Sequence, residues 1–394
     1  MKINAPLLAL AAGAFAIGVT EFAPMGLLPV MARDLGVSIP TAGILVSVYA
    51  VGVMLGAPVM TLATSRVARH QLLVGLIAIY TLGNLLSALS TSYTMLLLSR
   101  IVTSLNHGAF FGVGSVVAAG LVPANRRASA VATMFMGLTI ANVGGVPLAT
   151  WVGQAVGWRM AFWGMAGIGV GVMAALWFAL PRDARHEAGD MRAELRVLKR
   201  PAVLNALAIT ALGSAAMFTV FTYIAPILRD ETHVTATFIT AMLVIYGVGL
   251  TVGNWLGGRY ADRSLDRTLI VVLVALTGLL LVFAVAMHWP VPAAISIFAW
   301  GVATFALVPP VQMRVMAVAS DAPNLASSIN IGAFNLGNAI GAAVGGGVIA
   351  LGLGYPAVAI AGALLSATGL VLVLLTRRSQ TPHPSTADQS ARPA

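Results

Sequence analysis

The chain has no cysteine, so disulfides and thiolate metal sites are excluded at the outset. Charge is scarce as well. Only 9% of the 394 residues are Asp, Glu, Lys or Arg, against roughly a quarter in a soluble globular chain. That is too few to cover a water-facing surface. There is no Gly-x4-Gly-Lys-Ser/Thr loop, which argues against an ATP-driven pump, and no His-Glu-x-x-His or Cys/His cluster, which argues against a metalloenzyme. No metal or organic cofactor is expected.

What fills the chain instead is apolar. Fifty-nine per cent of residues are hydrophobic and 41 are glycine, and the mean hydropathy is +0.93. A membrane-crossing helix needs ~20 mostly apolar residues to span about 30 Å of hydrocarbon. Such runs follow one another at 6–31, 41–62, 72–90, 94–120, 128–154, 160–180, 202–227, 237–257, 268–287, 292–317, 325–351 and 356–376. The expected class is an all-α membrane protein of twelve spans. Met1 to Gly18 resembles a signal peptide, but the apolar run continues to Met31 and reads as a retained first span.

The net charge of +10 would suit a nucleic-acid binder, but the bases are not clustered on a soluble face. They alternate between connections. With the N-terminus placed in the cytoplasm, the inner segments hold Lys2, Arg66, Arg69, Arg126, Arg127, six bases in 182–200, Arg259, Arg263, Arg267, Arg377, Arg378 and Arg392. These are seventeen of the 22 bases. The outer loops hold Arg33, Arg159 and Arg229, and Arg100 and Arg314 fall inside spans. This positive-inside bias puts both termini in the cytoplasm. It gives an N-terminal bundle at 1–181, a cytoplasmic linker at 182–200, a C-terminal bundle at 201–376 and a polar tail at 377–394 expected to be disordered.

A shift of 197 residues aligns the halves. VYAVGVMLG (48–56) falls on IYGVGLTVG (245–253), Pro29 on Pro226 and Gly157 on Gly354. With six spans each, the halves share one orientation. Two such bundles can rock about a central site, which is the arrangement of an alternating-access carrier.

These residues resemble the major facilitator superfamily, over about residues 6–376. That family's loop signature, G-x-x-x-D-R-x-x-x-R/K, is intact as Gly258, Asp262, Arg263 and Arg267. Its first copy is degraded, with Thr61 for Gly and Ser65 for Asp but Arg66 kept. Arg100 and Gly108 resemble the fourth-span arginine motif. Gly137, Gly144, Gly145 and Pro147 resemble the fifth-span Gly/Pro motif of antiporters, although Gly145 and Pro147 are not adjacent. Thr20 to Pro29 and HGAFFGVGS (107–115) are similar to the drug/proton antiporter branch, which includes arabinose-efflux-like, chloramphenicol-resistance-like and purine-efflux permeases. The resemblance implies a monomeric multidrug-type exporter of the cell inner membrane with the proton as coupling ion.

Glu21 is the one acid deep in a span. A carboxylate there is costly unless it faces a polar cavity or takes up a proton, which is what a proton-coupled carrier needs. A structural glutamate hydrogen-bonded between helices is the plainer reading. Arg100, which cannot readily shed its proton, either steadies the Glu21 charge or clamps helix carbonyls. His107, at i+7 from Arg100, either relays protons or makes one interhelical bond. Arg314 is expected to snorkel to the inner interface.

By family analogy the substrate cavity would draw on Phe22, Tyr49, Asn106, Phe110, Met136, Asn142, Phe218, Phe221, Tyr223, Tyr246, Trp300 and Asn335, with Phe305, Gln312 and Asn338 nearby. Aromatics, Met and amides suit a mostly apolar pocket. Phe218 is the repeat mate of Glu21, which makes the proton chemistry asymmetric. The stripes Gly249/Gly253/Gly257 and Gly337/Gly341/Gly345 permit either sliding halves or static close packing. Asp262 is expected to dock at the N-terminal end of the fifth helix and latch the inner side. The reading is export of a small amphipathic molecule. Sugars or nucleosides as substrate, and uniport or symport, stay open. A membrane-embedded enzyme would want several convergent polar residues, and a channel or receptor would not need two repeated halves.

Overall fold

In hydrocarbon a backbone can satisfy its polar groups only within a helix or a closed barrel. The computed structural model of the chain, which describes residues 4–182 and 196–379, takes the first solution. Among the described residues, twelve helices are long and apolar enough to cross a membrane. They are α1 (Ala5–Asp34), α2 (Ile39–Ala63), α3 (Arg69–Ala88), α4 (Tyr93–Gly120), α5 (Ala124–Ala155), α6 (Trp158–Ala179), α7 (Pro201–Asp230), α8 (Ala236–Ala261), α9 (Leu265–Ala286), α10 (Pro290–Val318), α11 (Pro323–Ala350) and α12 (Tyr355–Ser379). Each matches an expected span to within a few residues. No strand occurs among the described residues. Of the sequence expectations, most of the linker and the tail beyond residue 379 lie outside the described residues.

The ends are set locally. Ser38, Ser92 and Thr235 cap α2, α4 and α8 by accepting from the backbone N–H groups of Thr41, Met95 and Phe238. Gly157 and Gly354, repeat mates, both adopt positive φ, at 113° and 80°, in the short turns before α6 and α12. Arg200 grips Asp321 with two hydrogen bonds of 3.0 and 2.5 Å, which hold the Asp321 carboxyl below the ordinary carboxylate range.

Packing obeys the repeat. In the first half α1 lies on α5, α2 on α4 and α3 on α6. In the second, α7 lies on α11, α8 on α10 and α9 on α12. The halves meet where α5 crosses α8 and where α11 crosses α2 and α4. The glycine stripes are not at this seam. A Cβ on Gly249, Gly253 or Gly257 would strike Phe298, Val302 or Ala306 backbone oxygens on α10. One on Gly337, Gly341 or Gly345 would strike those of Ala211, Ala215 or Thr219 on α7. Both stripes are close packing inside the C-terminal half, so the sliding-surface reading is corrected.

Arg314 departs from expectation too. It does not snorkel outward. It is buried, donating to Asp266 at 2.9 Å and to Thr376 at 2.8 Å, and so ties α10 to the start of α9 and the end of α12. A carboxylate within reach offsets the cost of burying the guanidinium better than a longer path to water would.

Candidate functional site

A cavity with about 860 Å³ of empty space, including its open mouth, lies between the halves at mid-height. Two helices present it with a repeating face. Ser214, Met217, Phe218 and Phe221 on α7 recur at i, i+3, i+4 and i+7, and so do Ile331, Phe334, Asn335 and Asn338 on α11. The first half contributes Glu21 and Phe22 from α1, His107 and Phe111 from α4, and Phe135, Leu138 and Asn142 from α5. Tyr246, Thr304 and Phe305 complete the C-terminal wall.

Eight of the site residues expected from sequence therefore line the cavity: Glu21, Phe22, His107, Asn142, Phe218, Phe221, Tyr246 and Asn335, with Phe305 and Asn338 beside them. Others do not. Tyr49 is buried behind the wall. Trp300 backs Tyr246, ring centroids 4.7 Å apart. Phe110 packs edge-on to Phe111, away from the space. Asn106 turns back to the Thr103 carbonyl, Tyr223 donates to the Ala342 carbonyl at 2.8 Å, and Gln312 is consumed by Ser327 and Asn330. Met136 is not in the lining either. The reading by helix number failed for these because only one face of each helix reaches the space. Phe111, Phe135 and Phe334 were missed.

Glu21 is only 14% exposed in its side chain, and that surface opens on the cavity. Its Oε2 lies 4.0 Å from His107 Nδ1, and the same nitrogen is 3.1 Å from the Tyr49 hydroxyl. The tautomer of His107 decides which of that pair donates. Arg100 lies beyond, its guanidinium carbon 4.2 Å from the Tyr49 ring centroid. None of its three nitrogens hydrogen-bonds to protein, and no ion pair joins it to Glu21. The order is thus Glu21, His107, Tyr49, Arg100. Because none of those nitrogens reaches an acceptor, the reading in which Arg100 clamps helix carbonyls is not what the structure contains. The Glu21 neighbourhood is also braced by Thr20, which donates to Asn84 at 2.6 Å.

The second half keeps the scaffold without the charges. The mates of Tyr49 and His107 are Tyr246 and Thr304, and those of Glu21 and Arg100 are Phe218 and Ile297. Phe221 stacks on Tyr246 at 5.0 Å, so Tyr246 meets an aromatic ring where Tyr49 meets the Arg100 guanidinium.

Hydrogen bonds between the halves gather at the arginine-rich end. Asp262 accepts from the backbone N–H of Ala128 at 2.7 Å, and from the N–H and hydroxyl of Ser129 at 3.0 and 2.5 Å. This places its carboxylate on the first turn of α5 proper, where free N–H groups and the helix dipole favour an anion. Asn254 donates to the Ala132 carbonyl at 2.5 Å. Gly258 lets α8 approach, since a Cβ there would meet Ala132 and the Ala128 carbonyl. Arg263 lies over Tyr260, Arg267 borders a lateral furrow, and Arg66 is exposed. In the degraded copy the contact is different in kind. Thr61 bonds Ser328 at 2.8 Å, hydroxyl to hydroxyl, and Ser327 donates to the Gly112 carbonyl.

In α5, Gly137 and Gly145 let the helix press against α1, while Gly144 faces open space. Residues Ala141–Gly145 form a single π-turn just before Pro147, whose ring cannot continue the ordinary ladder. The turn carries Asn142 in the cavity wall and Val143 against Gly247 of α8.

The family model for the Major Facilitator Superfamily matches residues 10–323 and 207–394. The chain belongs to that superfamily. It is 59% identical over 380 residues to the inner membrane transport protein YdhP of Escherichia coli (strain K12), covering 96% of this chain and 98% of the relative. It is 35% identical over 344 residues to a chloramphenicol resistance protein of Streptomyces lividans, covering 85% and 87%. The superfamily transporter FucP, solved in the outward conformation, shares the fold with a TM-score of 0.78 at 17% identity, covering 95% of this chain and 99% of that one. The protein is a multi-pass inner-membrane transporter of a small molecule, not an enzyme.

Proposed function

We propose that the protein exports a small, mostly apolar, amphipathic molecule in exchange for protons, with Glu21 as the exchanging carboxyl. One observation carries this reading: Glu21 is a mid-membrane acid, only 14% exposed in its side chain, that lines the central cavity. A carboxyl so placed meets substrate and proton in turn, and the two can compete for it. Phe22, Phe111, Phe218 and Phe221 offer apolar contact, and Asn142, Asn335 and Asn338 offer hydrogen bonds. That combination suits an amphipathic ligand. The relative named for chloramphenicol resistance supports efflux of a compound of that kind.

That both cavity walls come from one copy supports a single chain as the transporting unit. The bias of bases supports a cytoplasmic position for both termini. The seal at Asp262 then closes the cytoplasmic side, and the cavity serves the outer side in this state. Proteoliposomes loaded with an amphenicol or a purine and given a proton gradient test the reading. Efflux that collapses with the gradient supports it. Flux indifferent to the gradient would replace it with uniport.

A further inference from the structure

A second cavity lies on the lipid-facing flank of the C-terminal half, on the opposite face of α10 from the transport site. It is a furrow with about 1190 Å³ of empty space, including its open side, between α8, α9 and α10 at their arginine-rich end. Its floor is small: Gly257, Ala299, Val302, Ala303 and Ala306. Its deeper walls, Val271, Ala275 and Leu279, are wholly apolar. At its mouth stand Tyr260, Arg263, Ser264 and Arg267. Both arginines are exposed, and among the described residues neither has a carboxylate or a hydrogen-bond partner. Arg263 rests only on the Tyr260 ring, 5.4 Å away. Exposed Trp255 and Tyr260 mark the depth of the headgroup layer. The two unpaired cations therefore sit at phosphate height, with an acyl-deep groove beneath them. In the first half the mate of Arg267 is His70, which turns inward to the Trp177 carbonyl. The mate of Arg263 is the exposed Arg66, so the pair of cations, though not the single one, belongs to the second half.

We infer that this furrow binds one anionic phospholipid, its phosphate on Arg263 and Arg267 and an acyl chain along Ala275 and Leu279. Guanidinium groups match phosphate oxygens bidentately, and basic pockets between spans are suited to acidic headgroups. The inference is independent of Glu21. Native mass spectrometry of the purified protein with dioleoyl phosphatidylglycerol or dioleoyl phosphatidylcholine tests it. Wild type should retain the anionic phosphatidylglycerol in preference. The double variant Arg263→Gln/Arg267→Gln should lower that preference roughly tenfold. Ala275→Trp, which fills the groove from an exposed position and leaves charge unchanged, should lower retention of phosphatidylglycerol as well. Equal retention of both lipids by wild type, or undiminished phosphatidylglycerol on the double variant, would overturn the inference. So would displacement of the lipid by glycerol 3-phosphate, which would make the furrow a site for free phosphate.

Discussion

The Arg100 guanidinium lies 4.2 Å from the centre of the Tyr49 ring, and the Tyr49 hydroxyl reaches His107 rather than the arginine. Tyr49 therefore does two separable things. Tyr49→Phe keeps the ring and removes one hydrogen bond, a loss of about 1 kcal/mol, or a few-fold in transport rate. Tyr49→Leu also removes a desolvated cation–π contact of about 2 kcal/mol. Initial efflux rates in proteoliposomes should fall in that order. Equal rates for the two variants would show that the ring contributes nothing beyond volume.

Asp262 joins the halves through three hydrogen bonds to one carboxylate. Asp262→Asn removes the charge, and hydrogen bonds to charged groups are worth roughly 1.5–3 kcal/mol each. The arginine-rich end should open in at least a tenfold larger fraction of molecules. The cysteine-free chain suits spin labels at Val67 and Ser320. A longer distance population in the variant is expected, and Ser129→Ala should give a smaller change of the same sign. An unaltered distribution would remove Asp262 from the gating account.

The glycine stripes make a prediction about stability rather than motion. A Cβ at Gly253 collides with the Val302 backbone, whereas one at Gly144 meets nothing within 4 Å. Gly253→Ala should cost about 1–3 kcal/mol from forced separation of α8 and α10, read as a lower Tm in detergent. Gly144→Ala should leave Tm within error.

Arg314 should behave as a structural tie. Arg314→Met breaks its bonds to Asp266 and Thr376 and leaves both without their buried partner. A drop in thermal stability of about 1–3 kcal/mol is expected, with binding at the distant cavity retained. Lost binding in a variant of unchanged Tm would mean that Arg314 acts on substrate.

The twelve helices were legible because apolar length is a one-dimensional signal, and the 197-residue repeat reappears in the backbone: Gly157 and Gly354 match both in sequence and in their positive φ. Glu21 stood out by cost alone. The cavity wall was legible only in part, because helix number does not state which face points inward. Phe110 and Phe111 are neighbours in sequence, yet only Phe111 lines the space. Tyr49 and Arg100 lie on different helices, and nothing in their spacing announces a stack. The role of Arg314 was hidden for the same reason, since Asp266 and Thr376 are 48 and 62 residues away.

The central claim is that Glu21 exchanges a proton for substrate, and proton release measured with a pH-sensitive dye tests it most directly. Candidate amphipathic compounds would be added to weakly buffered purified wild type and to Glu21→Gln. The account predicts release on substrate binding by wild type and none by Glu21→Gln. Undiminished release from Glu21→Gln would contradict it, and would move the proton site elsewhere, with His107 next in line.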